Sequence, residues 1–342
     1  MIKKIVLSFL IFCRFIDSYS QNEAENFEPS GKIIARSSMD FSTGLNSNSN
    51  DETGFDITRA FLGYNYKINP TLDAQVIIDA ASGKNADGKS EVHLRNAYLR
   101  WRDLDFDIKV GEIGLLQFSL QETYWAHRYV LMSFQDLNKM APSVDVGVTV
   151  QHKFNSLLSA DLSITNGEGY KKVEKNKSSR YATGLTLSPT ESIVLRAYGD
   201  LYNDGADARD KLPQDVTCAN YENQYSLALF GGYMNNAVSC GIEYNKVFNK
   251  GFIAGKSYFG YSAYSSVRIM PQWRIYARYD SMGSNPPANF SNPWNSLDGQ
   301  LMVTGIEFHP VKQVKISPNF RNINPDRQKV EQYIFLNLEF DL

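Results

Sequence analysis

The chain has 342 residues, with 35 Lys and Arg against 37 Asp and Glu for a formal net charge of −2, and 43% hydrophobic residues. That balance offers no basic face for nucleic acid, and past the N-terminal leader no apolar stretch nears the roughly 18 residues of a spanning helix, which excludes a helical membrane protein. The 21% of charged residues and mean hydropathy of −0.35 resemble a soluble protein, but a membrane β-barrel averages out the same way, because only every second strand residue faces lipid.

At the N-terminus, Lys3 and Lys4, the apolar run Ile5 to Phe12 and the small residues around Ser18 and Ser20 read as a cleaved secretory signal over 1–20. Residues 21–29 form a short periplasmic segment, and 30–342 the barrel. Bulky Phe12 before Cys13 argues against lipoprotein processing.

From residue 30 onward, segments of about ten residues alternate apolar and polar. In Ser143 to Gln151 the apolar phase is Val144, Val146, Val148 and Val150, and the other holds Asp145, Gly147, Thr149 and Gln151. The two-residue period gives sixteen strands: 30–43, 54–67, 71–81, 91–102, 105–111, 143–154, 157–166, 179–188, 191–203, 223–234, 237–248, 256–270, 272–281, 299–309, 313–322 and 330–342. Short turns such as Asn69-Pro70, Asn155-Ser156 and Asn235-Asn236 alternate with eight longer polar connections, as in an up-and-down barrel with both termini in the periplasm.

We read the outer phase as free of charge: Ile33, Ala35, Met39 and Phe41 in the first strand, Ile193, Leu195, Ala197 and Leu201 in the ninth, Ile334 to Leu342 in the last. The charges fall on the lumen phase. The fold class is therefore all-β, a transmembrane antiparallel barrel of about sixteen strands. Its third long connection, Glu112 to Pro142, carries Phe118, Tyr124, Trp125, Tyr129 and Phe134, too aromatic for disorder, and is expected to fold inward.

Gly83 to Ser90 matches the phosphate-cradling pattern GxxxxGKS, but no buried parallel strands with crossover helices accompany it, so a polar hairpin loop is expected. His93, His127, His152 and His309 lack metal-ligand spacing, and no nucleophile elbow occurs. No catalytic residue, metal or cofactor is expected. Cys218 and Cys240 fall at opposite ends of a hairpin, too far apart for a disulfide. The pore-lining candidates for anion contact are Arg59, Arg100, Arg128, Lys139, Arg180, Arg196, Arg268, Arg274, Arg278 and Arg321, which either present guanidinium forks to solutes or brace the wall through ion pairs.

Several segments in order resemble the outer-membrane porins related to the phosphate-selective O and P type, especially their shorter Bacteroidetes relatives. They are Ile57-Thr58-Arg59-Ala60-Phe61-Leu62 and its echo Leu94-Arg95-Asn96-Ala97-Tyr98-Leu99, Val110-Gly111-Glu112, Asp145-Val146-Gly147-Val148, Asn166 to Gly169, Ala277 to Asp280, and Gly305 to Pro310. The resemblance implies a sixteen-stranded homotrimeric pore and, in phosphate-selective members, cationic constriction residues on an inward third loop. The expected function is a passive outer-membrane channel, not an enzyme, for small anionic or neutral hydrophilic solutes. Outer-membrane lipid is the surrounding partner, and nucleic acid is not one. A barrel hydrolase or protease and an adhesin or structural barrel are the alternatives.

Overall fold

The computed structural model describes residues 27–49, 53–80, 91–170, 178–203, 221–286 and 298–342. The leader, the Gly83 to Ser90 loop and Cys218 lie outside these; Cys240 carries a free thiol.

Sixteen strands pair antiparallel with their sequence neighbours, and β1 pairs with β16 to close the barrel. They are β1 (Ser30–Gly44), β2 (Gly54–Lys67), β3 (Leu72–Asp79), β4 (His93–Asp103), β5 (Phe106–Gly114), β6 (Val144–Lys153), β7 (Leu158–Thr165), β8 (Arg180–Thr190), β9 (Ile193–Tyr202), β10 (Gln224–Met234), β11 (Val238–Phe248), β12 (Ser257–Met270), β13 (Trp273–Asn285), β14 (Gly299–Val311), β15 (Val314–Pro325) and β16 (Glu331–Asp341). Closure leaves no unpaired edge, so every strand satisfies its backbone groups within the sheet.

The short turns follow from their residues. Asn69 Oδ1 accepts the Leu72 amide at 2.7 Å, Asn155 Oδ1 that of Leu158 at 2.8 Å, and Asn235 Oδ1 that of Val238 at 2.7 Å, so three turns reuse one asparagine device. Leu104 and Asp105 both take positive φ (47° and 64°), which lets a two-residue turn match the twist of β4 and β5.

Apolar side chains point outward along the expected phase: Ile33, Val76, Val146, Leu195 and Leu336 are all well exposed on the outer face. The strict alternation needs one correction. At Ser38/Met39 the partner advances from Arg59 to Ile57, making Thr58 an extra residue in β2. At Ile77/Ile78 it advances from Asn96 to Leu94, making Arg95 extra in β4. Outward residues there stand three apart, Ile57 to Ala60 and Leu94 to Ala97, and the phase is kept by a bulge. Strict alternation from Ala97 and Leu99 would put Arg95 on the outer face; the bulge turns it inward, where its guanidinium lies 4.8 Å from the Phe61 ring.

Candidate functional site

The long connection between β5 and β6 folds into the lumen, as its aromatic content required. It holds helix α1 (Leu116–Trp125) and a short helix α2 (Phe134–Leu137). Helix α1 stops at Ala126, whose φ of 61° is left-handed and whose amide returns to the Glu122 carbonyl. Backbone carbonyls carried into a barrel need donors, and the wall supplies them from five strands. Ser239 Oγ donates to the Tyr124 carbonyl at 2.6 Å, Tyr264 Oη to Gln121 at 3.2 Å, Arg278 Nη1 to Met132 at 2.6 Å, Arg321 Nη2 to Val130 at 2.7 Å and Asn337 Nδ2 to Tyr129 at 3.3 Å.

Beneath the loop the wall is apolar. Trp125, 1% exposed, packs with Val194, Phe230, Tyr264, Tyr276 and Val303, meeting the tyrosine rings edge-on at 5.6 and 5.8 Å. A sequence reading that makes the whole lumen wet misses this patch, since only the inward loop explains it. The loop tip is held by a carboxylate: Glu307 accepts from Tyr129 at 2.9 Å and pairs with His127 at 2.9 Å and His309 at 2.6 Å. His127 and Glu307 side chains are 1% and 3% exposed, so this acid and histidine pair is closed to any substrate.

The loop therefore leans on β9 to β16 and leaves the wall of β1 to β5 facing the remaining lumen. Among the ion-paired arginines exposure follows this: the Arg102 and Arg100 side chains are 46% and 27% exposed, those of Arg278 and Arg196 0% and 4%.

The candidate cations divide accordingly. Arg196 is bound to Asp161 at 2.5 and 3.0 Å, Arg180 to Asp200 at 2.8 Å, and Arg278 to Asp280 at 2.6 Å. Arg321 is spent on loop and asparagine oxygens and stacks 3.5 Å from the Phe335 ring. These four sit in buried networks that brace the wall. Arg100 pairs with Asp107, its Nε 2.9 Å from the carboxylate, and Arg102 with Asp73 at 2.9 Å, both facing the lumen. Arg128, on the loop, is clamped by Glu122 and Asp136. Burial opposes its charge, but those two carboxylates hold its pKa above the ordinary arginine value. Lys139 lines a cavity of about 610 Å³ with Asp136, Arg180 and Lys250 at the long-loop end. Arg268 and Arg274 stand directly opposite each other across β12 and β13 near the short turns, a like-charged pair with no ion-pair partner among the described residues.

Arg59 stands apart. Its guanidinium lies 4.9 Å from Phe61, whose ring Arg95 also approaches, and Arg95 reaches to 5.7 Å from Tyr170. Neither arginine has an ion pair among the described residues, and Arg95 Nη1 is buried without a hydrogen bond. The sequence reading named Arg59 but not Arg95; the three-residue apolar spacing in both echoed segments was the signal for it. A cavity of about 220 Å³ joins Arg59 to Arg36, Arg128 and the Tyr129 to Met132 stretch of the loop. On that cavity Arg36 and Arg59, with Asp40 and Glu339 on the same wall, face the loop edge that carries Arg128.

The chain matches no family model and no curated protein. Solved structures share its fold at low identity. Salmonella typhi OmpF, in a complex with daunomycin, superposes with a TM-score of 0.70 at 9% identity over 91% of this chain and 97% of that one. OprB of Pseudomonas putida gives 0.64 at 12% identity over 91% and 94%. The outer-membrane channel DcaP of Acinetobacter baumannii gives 0.62 at 12% identity over 93% and 99%. At these identities the likeness is one of fold, the closed barrel, and the resemblance to the phosphate-selective O and P type rests on the sequence segments alone.

Proposed function

We propose that the chain spans the outer membrane as a passive diffusion channel for small hydrophilic solutes, with its long connections outside and its short turns in the periplasm. The observation that carries this reading is the half-covered lumen: the third loop is packed on β9 to β16, and the opposite wall keeps charged side chains facing water. An outer face of exposed aliphatic residues needs lipid around it, because a soluble protein rarely exposes apolar patches beyond a few hundred Å². Two similar barrels, DcaP and Vibrio cholerae OmpT, are described as outer-membrane proteins, and DcaP as a channel.

In this reading the pore prefers anions weakly. Arg59 and Arg95 carry charge that no carboxylate within ion-pair distance cancels, whereas Arg196, Arg278 and Arg128 are neutralised by their partners. The preference proposed is for small anions in general rather than for phosphate in particular. A homotrimer is part of the proposal; one similar protein, Vibrio cholerae OmpT, is described in a trimer form. Liposome swelling tests the reading: small sugars and chloride salts enter at similar rates with a size limit, and phosphate does not compete with chloride. Impermeable liposomes would overturn it.

A further inference from the structure

Toward the long-loop end of β13 to β16, the lumen wall changes character. Met282, Leu301, Ile323 and Phe335, one from each strand, enclose a cavity of about 360 Å³ with Leu131 and Leu137 of the third loop. The volume lies within the roughly 300 to 1,000 Å³ of small-ligand sites. An apolar wall in a water-filled lumen is costly unless something covers it.

The charged groups on this cavity are Asp280, Asp298 and Arg321. Two are already satisfied. Asp280 is held by Arg278, and Arg321 at the floor donates to Asn319, Asn337 and the Val130 carbonyl while stacking on Phe335. Asp298 is not. It is 6% exposed, one oxygen accepts from the Ser284 hydroxyl, and Oδ1 is buried with no hydrogen bond. A buried acceptor left without a donor costs about 1 to 3 kcal/mol, more when charged. Burial, with Asp326 as a like charge, pushes the Asp298 carboxyl above the usual range against the Ser284 hydrogen bonding that lowers it. Arg321 pairs with Val303 and Asp298 precedes Gly299, so the two backbone positions stand about five residues apart along the strand direction, roughly 16 Å.

We propose that this cavity binds a small organic cation with an apolar ring, its ammonium on Asp298 and its ring against Leu301, Ile323 and Phe335. Charge complementarity selects the class: an anion would face the unmatched Asp298 oxygen, and a neutral ring would leave Oδ1 with at best a weaker donor. Binding is independent of whether the lumen conducts, so the two readings fail separately.

The test is calorimetric titration of the full-length protein in detergent with three probes on one ring: 2-(2-naphthyl)ethylammonium, the neutral 2-(2-naphthyl)ethanol and 2-naphthylacetate. The ammonium probe is expected to bind about tenfold tighter than the alcohol, as a charge-assisted bond replaces a neutral one, and the acetate not at all. Asp298→Asn should erase the preference for the ammonium and leave the alcohol unchanged; Phe335→Ala should weaken both. Equal binding of the three probes, tighter binding of the acetate, no binding of any, or an unchanged preference in Asp298→Asn would overturn the proposal. If that variant fails to assemble, the wild-type series alone decides.

Discussion

His127 Nδ1, at the tip of the third loop, lies 2.9 Å from Glu307 Oε2 on β14, and the His127 ring stacks on Tyr276 at 4.2 Å. The loop reaches this point only by crossing the lumen, so one buried pair fixes how far it extends. Tyr129 and His309 complete the bonding of the same carboxylate.

Glu307→Gln removes the charge that both histidines and the tyrosine address. Leaving buried hydrogen-bonding groups poorly matched costs about 1 to 3 kcal/mol, and here the loss falls on the attachment of the loop rather than on the barrel ladder. The variant should assemble normally but show larger and noisier single-channel currents, and trypsin should reach Arg128. Currents and cleavage identical to the wild type would count against the latch.

The bulges make an unusual prediction about deletions. Removing a residue from a strand normally flips every side chain beyond it to the other face. Thr58 and Arg95 are the extra residues of their strands, so deleting either restores plain alternation, and the protein should still assemble with heat-modifiable mobility. Deleting Tyr64 from the regular part of β2 should abolish assembly. Loss of assembly in all three deletions would show that the bulges are themselves required.

Selectivity should follow the unpaired arginines. Arg59→Glu with Arg95→Glu should shift the zero-current potential in a KCl gradient toward cations, with an effect that fades as the Debye length falls from about 10 Å at 0.1 M to about 3 Å at 1 M salt. Arg196→Ala should act differently. It leaves Asp161 uncompensated at the wall and should lower stability by about 3 to 5 kcal/mol with little change of potential.

On the outer face, Leu195→Arg or Val146→Arg should cost about 2 to 4 kcal/mol at mid-membrane and impair folding into liposomes. Gln151→Arg, on the lumen phase between Asp107 and Asp161, should fold as well as the wild type. Equal folding of all three would remove the lipid-facing assignment.

Strand number and phase were legible because alternation and charge segregation are local properties. Predicted and observed boundaries agree within a few residues, and β2 agrees at both ends. The inward third loop was legible from its aromatics, but where it lies was not: Val194, Phe230, Tyr276 and Val303 occupy lumen positions whose packing partners lie on distant strands or in the loop itself. The arginines were found as residues, but their partners depend on register. Arg278 meets Asp280 two residues along its own strand, whereas Arg196 meets Asp161 35 residues away. Arg95 escaped because a period-two reading has no place for an extra residue, and Asp298 because nothing local marks a carboxylate that burial will leave without a donor.

The central claim, an open channel past a loop fixed on one side of the lumen, is tested most directly by single-channel recording of the purified protein in a planar bilayer. Stable ohmic current steps are expected in KCl, with a zero-current potential weakly on the anion side at low salt. A protein shown to be inserted and folded that passes no current would contradict it.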